Sequence, residues 1–106
     1  MFGYKTLHMY EPKDSKKLSE FLKNNPVCNV YRKYRYPISG VPANEECICE
    51  NSEVSFNLGE LKMADRKVSF NTWGSSDIKV FLGKDVIIEM PTGYKGNSIL
   101  YRIAKI

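Results

Sequence analysis

A chain of 106 residues with 42% hydrophobic and 26% charged residues has room for one core, and it lies outside the polar, highly charged compositions that stay disordered. One domain spanning residues 1–106 is therefore expected, with a net charge of +4. Its three cysteines cannot all pair, which excludes a fully bridged secreted scaffold. The longest apolar runs, Val80 to Leu82 and Val86 to Ile88, fall far short of the roughly 18 residues of a membrane span.

Phe2, Tyr4, Thr6, His8 and Tyr10 alternate with Gly3, Lys5, Leu7 and Met9, the period of a first strand. Pro12 with Asp14 or Ser15 then offers helix-start chemistry, and Leu18, Phe21 and Leu22 repeat on one helical face. Asn24 and Asn25 suit a left-handed helix end, and Pro26 blocks continuation. Val27 to Tyr36 is dense in β-branched and aromatic residues and reads as a second strand stopping at Pro37. Ile38 to Asn44 reads as a loop, and Cys47 to Cys49 as a short extended stretch.

Further on, Val54, Phe56 and Leu58 place apolar side chains at even positions, whereas Leu61 and Met63 place them at odd ones. A strand changes parity only through an extra residue, so a bulge or a break is expected at Gly59. Ala64 to Lys67 should turn the chain into Val68, Phe70 and Thr72, and Trp73 to Asp77 should turn it again. Ile78 to Leu82 pairs with Val86 to Met90 across Gly83-Lys84-Asp85 as a hairpin, apolar on both parities and therefore expected to be central and covered on two faces. Ile99, Tyr101 and Ile103 mark the last strand after a glycine-bearing loop. The class expected is α+β: one helix in the N-terminal half packed on a curved, mostly antiparallel sheet or small open barrel.

Charge is sorted along the chain. Met1 to Gly40 carries eight Lys and Arg against three acids, Leu61 to Ile106 eight against four, and Val41 to Glu60 five glutamates with no base. An acidic middle between basic flanks either steers a partner or is neutralised within the fold. On the first alternative, Glu45, Glu46, Glu50 and Glu53, with Trp73 as an aromatic anchor, form a surface for a macromolecular protein partner. The bias toward Lys, Asn, Ile, Tyr and Phe suits an AT-rich genome. By analogy of type, the leading expectation is a small non-enzymatic phage or mobile-element protein that inhibits a host nucleic-acid-processing or defence protein.

Tyr31, Arg32, Lys33, Tyr34, Arg35 and Tyr36 carry the alternative. On a strand, Arg32, Tyr34 and Tyr36 share one face while Tyr31, Lys33 and Arg35 share the other, so each mixes rings with cations, the combination that holds single-stranded nucleic acid. The same composition suits an edge strand, where cations discourage stray pairing and tyrosines cover half-buried surface. A third expectation is a metal-independent ribonuclease with His8 as base and Arg32, Arg35 and Tyr34 stabilising the phosphate. Nothing in the spacing ties His8 to those residues, and no catalytic motif is present. Cys28, Cys47, Cys49 and His8 could supply four zinc ligands, but they lack paired Cys-x-x-Cys knuckles. Cys47 and Cys49 are expected on one strand face as small apolar residues. No metal or cofactor is expected, and neither is a membrane partner. The first ten residues lack a signal peptide's apolar stretch, so the expected location is cytoplasmic.

Overall fold

The computed structural model describes residues 3–8, 11–36, 44–57, 59–70, 78–91 and 96–106. Helix α1 runs from Pro12 to Asn24, where the sequence places it. Proline stands at the first helical position, where its missing N–H and fixed φ cost nothing. The Asp14 carboxylate in the first turn accepts the His8 backbone N–H at 2.8 Å. At the other end Asn25 does not take the left-handed conformation expected of it. It sits at φ −131°, and its backbone N–H and side-chain amide both donate to the Phe21 carbonyl, at 3.0 and 2.9 Å. The side chain supplies the cap that a left-handed residue would otherwise provide.

Nine strands surround this helix among the described residues. They are β1 (Lys5–Leu7), β2 (Val27–Arg35), β3 (Glu46–Glu53), β4 (Ser55–Asn57), β5 (Glu60–Lys62), β6 (Lys67–Ser69), β7 (Lys79–Leu82), β8 (Val86–Pro91) and β9 (Ser98–Lys105). Six of them form one antiparallel sheet in the order β1-β7-β8-β9-β2-β3, and β4-β5-β6 form a second. The fold is α+β, and the large sheet is open, with β1 and β3 at its edges and no closure into a barrel. No helix among the described residues is long and apolar enough to cross a membrane.

The parity switch near Gly59 resolves as a break. Phe56 pairs with Leu61 across a turn in which Gly59 takes φ +78°, a conformation costly for any residue with a Cβ. Ser52, Val54 and Phe56 face inward before the turn, and Leu61 and Met63 after it.

One core lies between the layers. Leu18 and Leu22 come from α1, which packs on β4. Val54, Phe56, Leu61, Met63 and Phe70 come from the second sheet and its flanks. Val30, Val80, Val86, Ile88 and Ile103 come from the large sheet. Each fully buried Leu, Ile or Phe contributes about 1.5–3 kcal/mol relative to exposure. Phe70 also meets Tyr101 edge to face, with ring centroids 5.9 Å apart. In β1 the buried residue is Leu7, while Thr6 and His8 are exposed and Tyr4 just before the strand is half-buried; Phe2 and Tyr10 lie outside the described residues.

Two expectations about strands change. The Tyr31–Tyr36 segment is a sheet edge only in part: Tyr31 and Arg32 are paired on both sides, with β9 and with β3, whereas Lys33, Tyr34 and Arg35 pair with β9 alone among the described residues. The short Cys47–Cys49 stretch belongs to an eight-residue strand, and a bulge within it sets Cys47 opposite Tyr31 and Cys49 opposite Val30. Tyr31 and Val30 point to opposite faces, so the two thiols do not share one: Cys47 is exposed, and Cys49 packs against the core with Ile48.

Candidate functional site

Helix and second sheet occupy one face of the large sheet, and no described element lies over the opposite face, the open face. Register places its side chains in rows that cross the strands. The first row runs Thr6, Phe81, Ile87, Arg102, Tyr31, Cys47, and at about 4.8 Å per strand it spans about 24 Å. The next runs Lys79, Glu89, Leu100, Lys33, and a third holds Pro91, Ser98 and Arg35. Phe81, Ile87, Leu100 and Tyr31 are half-buried, and Thr6, Lys33 and Lys79 are exposed. The hairpin strands β7 and β8 are central, as their composition suggests, but only their even-numbered side chains are covered. Phe81 and Ile87 stay accessible.

Arg102 is the centre of this face. Its Nε and Nη2 donate to both Glu45 oxygens at 3.0 and 2.7 Å, and Nη1 donates to Asp85 at 3.1 Å. Its guanidinium lies over the Tyr31 ring, 4.3 Å from the centroid. The bidentate bond lowers the Glu45 carboxyl below its ordinary range, and the same contacts raise Arg102. Farther along, Arg35 reaches Glu89 at 3.0 Å, and the Ser98 hydroxyl donates to the same carboxylate oxygen at 3.0 Å.

The other half of the basic segment faces the core side. Arg32 donates twice to Glu46, at 2.6 and 3.0 Å, and its guanidinium stands 5.4 Å from the Tyr34 ring. Tyr34 stacks in turn on Tyr36, with centroids 6.0 Å apart and planes within 3°. The hydrogen bond to Glu46 raises Arg32, and burial raises the neighbouring Tyr101 phenol.

The acidic and basic segments therefore adjoin. Glu45 and Glu46 are counter-ions of Arg102 and Arg32, whereas Glu50 and Glu53 are exposed on β3 with no ion pair among the described residues. Trp73 lies outside the described residues. His8 is exposed, and no recorded contact joins its ring to Arg32, Tyr34 or Arg35. The basic strand divides as its alternation implies, with Arg32 and Tyr34 on one face and Tyr31, Lys33 and Arg35 on the other. Sequence reasoning missed Phe81, Ile87, Leu100 and Arg102. For Arg102 a signal existed, because the alternation of Ile99, Tyr101 and Ile103 sends residue 102 the other way.

Among the described residues no three His, Cys, Asp or Glu side chains converge to hold a metal ion. Cys28 is fully buried, and its thiol donates to the Asn25 carbonyl at 3.1 Å. A groove of about 650 Å³ opens between the end of α1 and the second sheet, lined in part by Leu22, Pro26, Val54, Lys62 and Met63. Its Ser52 hydroxyl accepts the Ala64 N–H at 3.1 Å, and no buried side-chain polar atom among the described residues lacks a partner. Comparison with protein-family models, curated proteins and solved structures finds no match.

Proposed function

We propose that the protein is a non-enzymatic binding module whose contact surface for a protein partner is the open face of the large sheet. The observation that carries this reading is the half-buried apolar strip of Phe81, Ile87 and Leu100, set in a frame of fixed ion pairs. Protein interfaces are built that way, with aromatic and aliphatic side chains and arginine at the centre and a polar rim around them. Arg102, held by two carboxylates and a ring, is already ordered, so little side-chain entropy is lost when a partner arrives. Among the described residues Glu50 and Glu53 of the acidic stretch have no ion pair, a smaller surface than the sequence suggests. An inhibitory role fits the same picture, since a domain seated on a partner excludes whatever else docks there.

Capture from an extract of the native host tests the reading with three baits: the native protein, Phe81→Ser with Ile87→Ser, and Glu50→Lys with Glu53→Lys. A polypeptide retained by the native and acidic-strand baits and lost from the face variant supports it. Retention by the face variant with loss from the acidic-strand variant places binding on β3 instead. Capture of nothing rejects the binding role.

A further inference from the structure

Charges on the open face are sorted by height. The carboxylates of Glu89 and Asp85 have side chains only 16% and 11% exposed, because Arg35, Ser98 and Arg102 close over them. The Arg35 side chain is 59% exposed, and Lys33 and Lys79 stand exposed without an ion pair among the described residues. Glu45 sits higher, at the rim, where its two oxygens are committed to Arg102. Beside the apolar strip, then, the charge turned outward is cationic. Lys79 and Lys33 flank Leu100 within its row, and Arg35 stands one row beyond.

We propose that the occupant of this face is an acidic amphipathic segment of a partner protein. The proposal rests on the reading of the open face as the binding surface and adds the partner's chemistry to it. Apolar side chains of the segment lie along the Phe81–Ile87 row, and its carboxylates turn toward Lys79, Lys33 and Arg35. A row of about 24 Å matches a helix of about 16 residues lying across the strands, a geometry that groove-bound and sheet-bound amphipathic helices share.

Nucleic acid would also seek cations, but it needs ring faces on which bases can stack. Here the Tyr31 ring lies under the Arg102 guanidinium, and Tyr34 lies on the core side against Arg32 and Tyr36. What remains accessible is Phe81 with aliphatic Ile87 and Leu100, which suits leucine or phenylalanine side chains better than bases.

The test uses labelled peptides of about 16 residues with Leu and Phe on one helical face and Glu elsewhere, a twin with Lys replacing every Glu, and an oligothymidylate of similar length. Binding is read by fluorescence anisotropy at low and high salt, and the surface by amide shift changes. The Glu peptide should bind about tenfold tighter than its Lys twin at low salt, with the gap closing as salt rises. Shifts should fall on β7, β8, β9 and β2. Lys33→Glu with Lys79→Glu, at two solvent-exposed positions and with folding checked by circular dichroism, should reverse the preference.

A Lys twin that binds equally, shifts confined to other strands, or tighter binding of the oligothymidylate each overturn the proposal, the last in favour of nucleic acid. If host-extract capture depends on Phe81 and Ile87 but is unchanged by the lysine reversals, the binding face stands and the acidic occupant falls.

Discussion

Replacing Arg102 by methionine keeps the aliphatic stem over Tyr31 and removes only the guanidinium. Three losses follow, of unequal size. The Glu45 pair is at the rim, and a pair so exposed contributes about 0.2–1 kcal/mol. The contact with the Tyr31 ring adds about 0.5–1 kcal/mol. The largest loss falls on Asp85, a buried residue whose carboxylate has Arg102 as its recorded side-chain partner. Orphaning such a group costs about 1–3 kcal/mol.

Arg102→Met should therefore destabilise the protein by about 2–5 kcal/mol, a large share of the roughly 5–15 kcal/mol that holds a domain together. Urea unfolding followed by circular dichroism measures it. Adding Asp85→Asn removes the stranded charge, so the double variant should recover about half of the loss despite carrying one more substitution. A single variant within about 0.5 kcal/mol of the native protein, the range of an ordinary surface change, or a double variant weaker than the single, would refute the assignment of Asp85 as the group Arg102 protects.

Three further outcomes are expected. Gly83→Ala would set a Cβ 2.7 Å from Tyr4 Cδ1 and 2.9 Å from the Gly3 carbonyl oxygen, and because the backbone atom cannot swing away, thermal melting should show a loss of about 1–3 kcal/mol; an unchanged midpoint would mean that β1 moves freely. Under native conditions an alkylating reagent should modify Cys47 first, while Cys28, whose thiol burial and the nearby Asp85 raise, should be labelled only on unfolding, as peptide mass spectrometry would show. The Glu45 carboxyl is lower in the folded state than its ordinary 4.5, so its stabilising effect is complete above that value and disappears as pH falls through the folded one. Glu45→Gln should flatten the acid limb of the urea midpoint against pH, and an unchanged limb would show that the Arg102 bond does not hold in solution.

What could be read from the sequence was local. Leu18, Phe21 and Leu22 with Pro26 located the helix, the parity change around Gly59 located a break, and Gly83-Lys84-Asp85 located a hairpin, because each depends on residues within a few positions of one another. Neighbourhood across the sheet was not readable. Period two tells which way Arg32 and Tyr31 point but not that β9 and β3 lie on either side of them, so a strand that is an edge only from Lys33 onward looked like one throughout. The bulge in β3 broke the rule that residues two apart share a face, which misplaced Cys47 relative to Cys49. Arg102 and Glu45 are 57 positions apart, and no local pattern joins them. The open face was hidden for a related reason: apolar residues on both parities of β7 and β8 imply two covered faces, and only the fold shows that one is left accessible.

The position of β9 bears on how the chain reaches this structure. Residues 27–35 lie between a partner about twenty residues ahead and one about seventy ahead. During synthesis β2 can pair early with β3 while its other edge, including the backbone groups of Tyr31 to Arg35, waits for residues 98–105. Until then β1 can join only the β7–β8 hairpin, its partner among the described residues being β7. The helix and the β4-β5-β6 meander can gather around Leu18 and Phe56 beforehand, but the large sheet is completed only by its last strand. Loss of residues 98–105 would split it between β8 and β2, exposing two long edges of the kind that pair with other chains. A nascent or truncated chain should therefore aggregate far more readily than the finished protein, and refolding should be limited by insertion of β9 between its two neighbours.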